Sequence, residues 1–387
     1  MSSLGSIRLG FDLSDEQELI CQTAQQFARD VVAPGAAERD QNHRFDASLI
    51  EKMGELGLLG IKVSADDGGV GADTVSYALA LSAIAEACAS TAVTMAVCNL
   101  AGDVLSAFGN DAQKQKWLAP YLEGKGGAGT FCLSEPQAGS DPRGMKTTAV
   151  KEGDEYVLNG SKQWITNGTY AGLHLVFART DPDAGARGMS CFLVEKGTPG
   201  LIVGEPEKKM GLRSSNTVGL TFEDCRVPAA NLIGGEGQGY GIALSCLDGG
   251  RVGIGAQCIG IAKAAIDEGV KYANERKCFG EAVSRFQNSQ FAIADSQLEL
   301  EAMVLLTLRA AAERDQHGKA AKSSSMAKVY ASEGASRIVD RMLQLHGGYG
   351  YVEDYPIERL YRDVRVTRIY EGTSEVQRMV IGRSLLG

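Results

Sequence analysis

Two segments set hydroxyl groups beside aromatic and apolar side chains: Phe131-Cys132-Leu133-Ser134-Glu135-Pro136-Gln137-Ala138-Gly139-Ser140-Asp141 and Gln163-Trp164-Ile165-Thr166-Asn167-Gly168. Read alone, they are loop-rich strand ends, a setting that carries function in some proteins and only connects elements in most. Arg276 offers a guanidinium able to form paired hydrogen bonds. A surface charge at a helix end is the plainer account of Arg276. Asp248 and Arg251 form an i, i+3 pair that, on spacing alone, belongs on a solvent-exposed helix face.

Several other chemistries lack support. The run Gly234-Gly235-Glu236-Gly237-Gln238-Gly239-Tyr240-Gly241 has neither GxGxxG spacing nor a βαβ context, and reads as a linker into the following helices. His346-Gly347-Gly348-Tyr349-Gly350 fails the same test. The four histidines, His43, His174, His317 and His346, begin no HxxxH or HExxH pattern. Ser134 and Ser140 lie outside a GxSxG elbow, so no hydrolase triad is indicated.

The elements that must position these residues fall into three regions. From Phe11 to about Leu122 the pattern is helical, opening on Ser14 and Gln17 as a capping box, with Ile20, Ala24, Phe27 and Val31 on one face. Glycines at 68–71 and 124–129 mark loops, the second a domain boundary. From about Ala128 to Asn231 short strand-like runs take over: Tyr156-Val157-Leu158 ending in an Asn159-Gly160 turn, His174 to Ala178, Cys191 to Val194, and the alternating Val218, Leu220 and Phe222. Beyond Gly239 long helices return, with Ala294, Leu298, Ala302, Leu305 and Leu308 at helical spacing. The expected fold is therefore α+β, with an N-terminal helical domain (1–125), a middle β domain (126–235) and a C-terminal helical bundle (236–387). A Rossmann protein would instead alternate strand and helix throughout.

Across the 387 residues, 44% are hydrophobic and 22% charged, an ordinary globular composition. The net charge of −9 disfavours nucleic acid and anionic membrane as partners. Nine scattered cysteines without a CxxC pair read as reduced, mostly buried thiols. Residues 1–10 lack an apolar signal core, and no window reaches the roughly 20 apolar residues of a bilayer span. The expected location is the cytosol, or a mitochondrial matrix once a transit peptide has been removed.

The two hydroxyl-bearing segments, together with Asn274-Glu275-Arg276-Lys277-Cys278-Phe279-Gly280, Gln344-Leu345-His346-Gly347-Gly348-Tyr349-Gly350-Tyr351 and the tail Arg368-Ile369-Tyr370-Glu371-Gly372-Thr373-Ser374-Glu375-Val376-Gln377-Arg378, resemble the acyl-CoA dehydrogenase family. The resemblance covers nearly the whole chain, including its α, β, α order. It implies FAD as cofactor, with Phe131, Leu133, Ser134, Trp164, Ile165 and Thr166 beside the isoalloxazine. Trp164 would shield the ring, and Thr166 would donate a hydrogen bond near flavin N5. Arg276, Phe279, Gln287, Gln344, Gly347 and Gly348 would reach FAD across a subunit interface, while Thr373 and Glu375 would do so within the subunit. Ser140, Asp248, Arg251, Tyr370 and Gly372 would line the acyl-CoA site. The family further implies a homo-oligomer, a tetramer built as a dimer of dimers, and an electron-transfer flavoprotein as acceptor.

On this resemblance Glu371 is the base that takes the α proton of an acyl thioester while flavin N5 takes the β hydride, a step of fatty acid β-oxidation giving the trans-2-enoyl-CoA. An exposed glutamate, with a pKa of about 4.3, is a weak base, so the site must exclude water to raise its proton affinity. The Glu371 N–H and a flavin ribityl hydroxyl would form the oxyanion hole. Some family branches carry the base at the position matched here by Gly250, which cannot serve. That departure points to the branches with Tyr-Glu-Gly-Thr in the tail, which include the short-chain (butyryl-CoA) and medium-chain enzymes, and the sequence resembles the short-chain branch most. Chain length should depend on the stretches 87–102 and 240–247, which hold no arginine or lysine to pair with a second carboxylate. Short saturated and methyl-branched acyl groups stay open, as do two rivals: a related flavin oxidase or monooxygenase, and a noncatalytic acyl-CoA-binding protein.

Overall fold

The computed structural model describes residues 12–387, together with a short antiparallel pair formed by Ser3–Leu4 and Ile7–Arg8. Phe11, where the helical pattern begins, lies outside the described residues. Helix α1 (Asp15–Phe27) starts as its capping box dictates. Ser14 Oγ accepts from the Gln17 N–H at 3.2 Å, and Gln17 Oε1 accepts from the Ser14 N–H at 3.0 Å. Helix α2 (Thr74–Ala87) is capped by Asp73, and the Asp315 carboxylate, distant in sequence, also accepts from the Thr74 N–H at 2.8 Å.

Helix α3 (Ala89–Phe108) corrects one expectation. It has 20 residues, and an 18-residue window of them has a mean hydropathy of 1.4, long and apolar enough to cross a membrane. Two-thirds of that stretch is buried, however, and the helix packs against α2, the β domain and the bundle, as a core helix does. Its scattered Ser, Thr and Asn residues hid the run. Asn99, for example, is wholly buried and donates to Leu58 O and Met95 O.

The middle region is one eight-stranded sheet. Its strands are β1 (Ala128–Cys132), β2 (Thr148–Glu152), β3 (Glu155–Thr166), β4 (Ala171–Arg179), β5 (Met189–Glu195), β6 (Leu201–Val203), β7 (Thr217–Pro228) and β8 (Leu232–Ile233). Their spatial order is β8-β5-β4-β2-β3-β7-β6, with β1 running parallel to β4 off that path. Both faces are covered. Along β4, Leu173, Leu175 and Phe177 join the main helical core, while Val176 and Ala178 join a second core with Val218, Leu220 and Phe222. This is the two-residue alternation of a strand buried on both sides. Asn159-Gly160 is not a turn: β3 runs through it, with Gly160 (φ +145°) at a register shift against β7. The hairpin turns instead at Gly153 (φ +62°), between Glu152 and its partner Glu155.

The glycine run at 234–241 leads into α4 (Gly239–Glu275), followed by α5 (Gln287–His317), α6 (Ala321–His346), α7 (Pro356–Val364) and α8 (Ser374–Leu386). Helix α4 packs against α2, α3, α5 and α6, so one helix joins both helical regions. Of the apolar stripe on α5 only Leu308 reaches the core. Leu298 (71% exposed) and Leu305 face solvent, because Leu300, Met303, Val304 and Thr307 supply the packed face. All nine cysteines are free, and only Cys278 is not buried.

Candidate active site

The ends of β1 and β3 are tied together by backbone and charge. Gln163 N–H donates to Ser134 O at 3.0 Å, and Asn167 Nδ2 donates to Gly129 O at 3.1 Å. Beneath them Lys162 Nζ meets Glu135 Oε1 at 2.8 Å, both side chains essentially inaccessible. Glu135 also accepts from the Lys146 and Thr147 N–H groups. Burial works to raise the Glu135 carboxyl, but the Lys162 charge and these hydrogen bonds prevail and hold it below the usual range. The clamp joins the strand end that carries Phe131, Leu133 and Ser134 to the one that carries Trp164 and Thr166. Trp164, 63% exposed, sits at φ +63° where β3 shifts register against β7. A left-handed residue other than glycine costs about 1–2 kcal/mol, and here it turns an indole outward. Ile165 points the opposite way into the β core, so only its backbone is available to a ligand.

Glu371 (φ +52°) and Gly372 (φ +86°) form a second left-handed turn, just before α8. Gln377 Nε2 donates to both of their carbonyls, at 3.1 and 2.9 Å, and Lys328 Nζ donates to Gly372 O at 2.7 Å. Tyr370 Oη is hydrogen-bonded to Gln257, which in turn donates to Ala89 O at the start of α3. The turn aims the Glu371 carboxylate at Gly250 of α4: a β carbon there would overlap Oε2 and lie 3.0 Å from Cδ. Oε2 is buried without a hydrogen-bond partner. Burial pushes the Glu371 carboxyl above its ordinary range, while the charges of Arg251 and Lys328 hold it down in part.

Around this carboxylate Asp248 and Arg251 pair at 3.0 Å and are 8% and 7% exposed, not a solvated pair as their spacing alone suggested. Arg314 of α5 reaches the same helix, its guanidinium 3.3 Å from where a β carbon on Gly249 would sit. That cation lies outside the two stretches from which a dicarboxylate was argued away. Thr373 caps α8, accepting from the Val376 N–H at 3.3 Å, and Glu375 is exposed in its first turn. Ser140 is exposed on the loop after β1.

The remaining candidates gather elsewhere. Arg276, Gln344, Gly347 and Gly348 line one cleft of about 780 Å³ with Tyr272 and Tyr349, the guanidinium lying 5.3 Å from the centre of the Tyr349 ring. Nothing stands within 4 Å of a β carbon built on Gly347 or Gly348, so the backbone there is open to approach. Phe279 is 99% exposed at φ +52°, on the tip of a short hairpin, and Gln287 opens α5 just beyond it. Arg276 ends α4 about 26 residues beyond Gly250, roughly 39 Å along the helix at ~1.5 Å per residue.

Three family models match the chain in order: the acyl-CoA dehydrogenase N-terminal domain over residues 14–125, the middle domain over 130–225 and the C-terminal domain over 237–386. The chain belongs to the acyl-CoA dehydrogenase family. It is 46% identical over 385 residues to the mitochondrial short-chain specific acyl-CoA dehydrogenase of Rattus norvegicus, covering 99% of this chain and 93% of the rat protein. The structure of butyryl-CoA dehydrogenase from Megasphaera elsdenii superposes with a TM-score of 0.94 at 42% identity, covering 97% of this chain and all of that one. A chain in a structure described as the electron transferring flavoprotein of Acidaminococcus fermentans matches with a TM-score of 0.95 at 45% identity, over 97% and 99% of the two chains.

Membership makes this dehydrogenase an oxidoreductase and an FAD flavoprotein acting on acyl-CoA. The residues present fit that cofactor. An outward-turned indole lies on the strand end that also carries half-buried Thr166, a partnerless carboxylate oxygen marks a polar locus, and a separate cleft is lined by a guanidinium and open glycine backbone. Spacing could not have found Lys162, Glu135, Lys328 or Gln257, because each acts through a partner far along the chain.

Proposed function

We propose that this acyl-CoA dehydrogenase acts on a short-chain acyl-CoA, butyryl-CoA in the first instance, with Glu371 as the base that takes the α proton. The observation that carries this reading is the buried, partnerless Glu371 Oε2 held against Gly250. A carboxylate so placed is poorly solvated, and its raised proton affinity suits it to a weakly acidic C–H bond. As the C–H bond breaks, the proton passes to Glu371 and negative charge moves towards the thioester oxygen. The Glu371 N–H makes no hydrogen bond within the chain among the described residues, so it is free to donate to that oxygen. Bound beside Trp164 and Thr166, FAD supplies the acceptor for the hydride that leaves the β carbon. Ser140, the Asp248–Arg251 pair and the Tyr370 and Gly372 backbone are assigned to the thioester and its pantetheine arm.

The Arg276 cleft and Glu371 belong to opposite ends of α4, too far apart for one dinucleotide to touch both on one chain. We assign the cleft residues, with Phe279 and Gln287, to FAD bound by a neighbouring subunit. The uncovered apolar stripe of α5, Phe291, Leu298 and Leu305, supports a second copy there. The tetramer is the assembly we propose, and sedimentation velocity decides it against dimer or monomer. Arg276→Gln is expected to weaken FAD binding by about 10–100-fold, the worth of a charge-assisted hydrogen bond to phosphate. Fluorescence of FAD released on dilution measures this, and unchanged retention removes Arg276 from the site.

The match to the Acidaminococcus fermentans chain supports an electron-transfer flavoprotein as acceptor. Anaerobic titration with butyryl-CoA, isovaleryl-CoA, octanoyl-CoA and glutaryl-CoA, followed by flavin absorbance, tests the substrate. Butyryl-CoA should bleach fastest. Fast bleaching by isovaleryl-CoA would move the assignment to methyl-branched esters, and fast bleaching by glutaryl-CoA would give Arg314 a carboxylate to pair. Rapid reoxidation by air would favour an oxidase.

A further inference from the structure

Lys328 lies on α6 with its side chain completely buried. Its ammonium has three N–H donors, yet among the described residues it makes one hydrogen bond, to Gly372 O at 2.7 Å. A buried ammonium with a single neutral acceptor is poorly compensated, and an apolar residue of the same length would fill the space without that penalty. The acceptor is the carbonyl of the residue after Glu371, inside the left-handed turn that Gln377 also grips. Gln377 touches both carbonyls and is neutral, whereas Lys328 brings a charge.

We propose that Lys328 is a positioning residue for the reaction: its ammonium pins the Gly372 carbonyl, fixes the turn that aims the Glu371 carboxylate at Gly250, and keeps a positive charge beneath the base. This role presupposes that Glu371 is the base. The charged and titratable groups facing Glu371 are Arg251 from α4, Lys328 from α6, Tyr77 from α2 and the adjacent Tyr370. Those facing Lys328 are Cys258 and Arg251 from α4, Glu371, and Glu333 of its own helix. Burial pushes the Lys328 ammonium down to about 8, so it still carries its proton at neutral pH. There it favours the ionised form of Glu371.

Lys328→Met removes the hydrogen bond and the charge while keeping the length. FAD content should be retained and the melting temperature unchanged or raised, since a poorly compensated buried charge is gone. We expect kcat to fall by about 10–100-fold with KM within about threefold, the mark of a displaced catalytic group. The acidic limb of kcat/KM for butyryl-CoA should move upward by about one pH unit, because the base has lost a neighbouring cation and holds its proton more tightly. Lys328→Arg keeps the charge and should leave that limb in place. Gln377→Met should lower kcat without moving the limb. If Lys328→Met fails to hold FAD, Lys328→Gln carries the same prediction, a displaced limb with a smaller loss of kcat.

Wild-type kcat with an unmoved limb in Lys328→Met overturns the role. So does a loss of kcat that follows a lowered melting temperature with the limb unmoved, which is structural damage alone. Glu371→Gln, assayed alongside, separates the two assignments: substantial turnover in that variant overturns the base itself. An inactive Glu371→Gln with an unaffected Lys328→Met overturns only Lys328.

Discussion

Glutamine at position 371 is expected to leave FAD bound while slowing the bleaching of the flavin by butyryl-CoA at least about a thousandfold, within the range a positioned base contributes. The substitution is nearly isosteric. The backbone turn should persist, because Gln377 and Lys328 hold the carbonyls of residues 371 and 372 and not the side chain. What is lost is the partnerless carboxylate oxygen held against Gly250, to which the α proton is assigned. A second readout separates this from general damage. The carboxyl of Glu371 is raised in the folded protein, so its ionised form is disfavoured there relative to the unfolded chain. Its contribution to stability is therefore fully present below the unfolded pKa of about 4.3 and is lost as pH rises through the folded pKa. Glu371→Gln should accordingly melt higher than wild type at pH 8, with the difference closing towards pH 4. A variant that bleaches at the normal rate would show that the proton goes elsewhere.

The order of helical, sheet and helical regions was legible because each rests on local pattern. Ser14 with Gln17 starts a helix, and Val218, Leu220 and Phe222 alternate into a core, whatever surrounds them. The family motifs likewise drew attention to Trp164 and Glu371. No residue type, however, announces a left-handed conformation at a tryptophan or a glutamate. Those two turns are imposed from outside, by a clamp linking Lys162 to Glu135 and a brace linking Lys328 to Gly372, 27 and 44 positions apart. The α5 stripe misled for a related reason. Helical spacing reports that an apolar face exists, and Leu298 and Leu305 do share one, but it cannot say whether the cover comes from the same chain. Asn159-Gly160 is a common hairpin turn that here is spent as a bulge, since β3 must continue to carry Trp164 to the sheet end.

Gly250→Ala sets local preference against function most directly. In a helix interior alanine is favoured over glycine by about 1 kcal/mol, so on propensity alone the substitution should stabilise α4. Yet the added methyl would overlap Glu371 Oε2 and come within 3.0 Å of Cδ, and the carboxylate must give way. A base displaced by about 1 Å is enough for a loss on the order of 100-fold in kcat. The expected result is an enzyme that binds FAD, melts no lower than wild type and turns over butyryl-CoA about a hundred times more slowly. Gly382→Ala, also inside a helix, is the control, because a β carbon there meets nothing within 4 Å, and it should keep wild-type kcat. Full activity in Gly250→Ala would mean that the carboxylate works from some other position than the one against α4. A side chain at 250 and a carboxylate from 371 claim the same volume, so the fold has room for the base from only one of them, and glycine at 250 gives that room to Glu371.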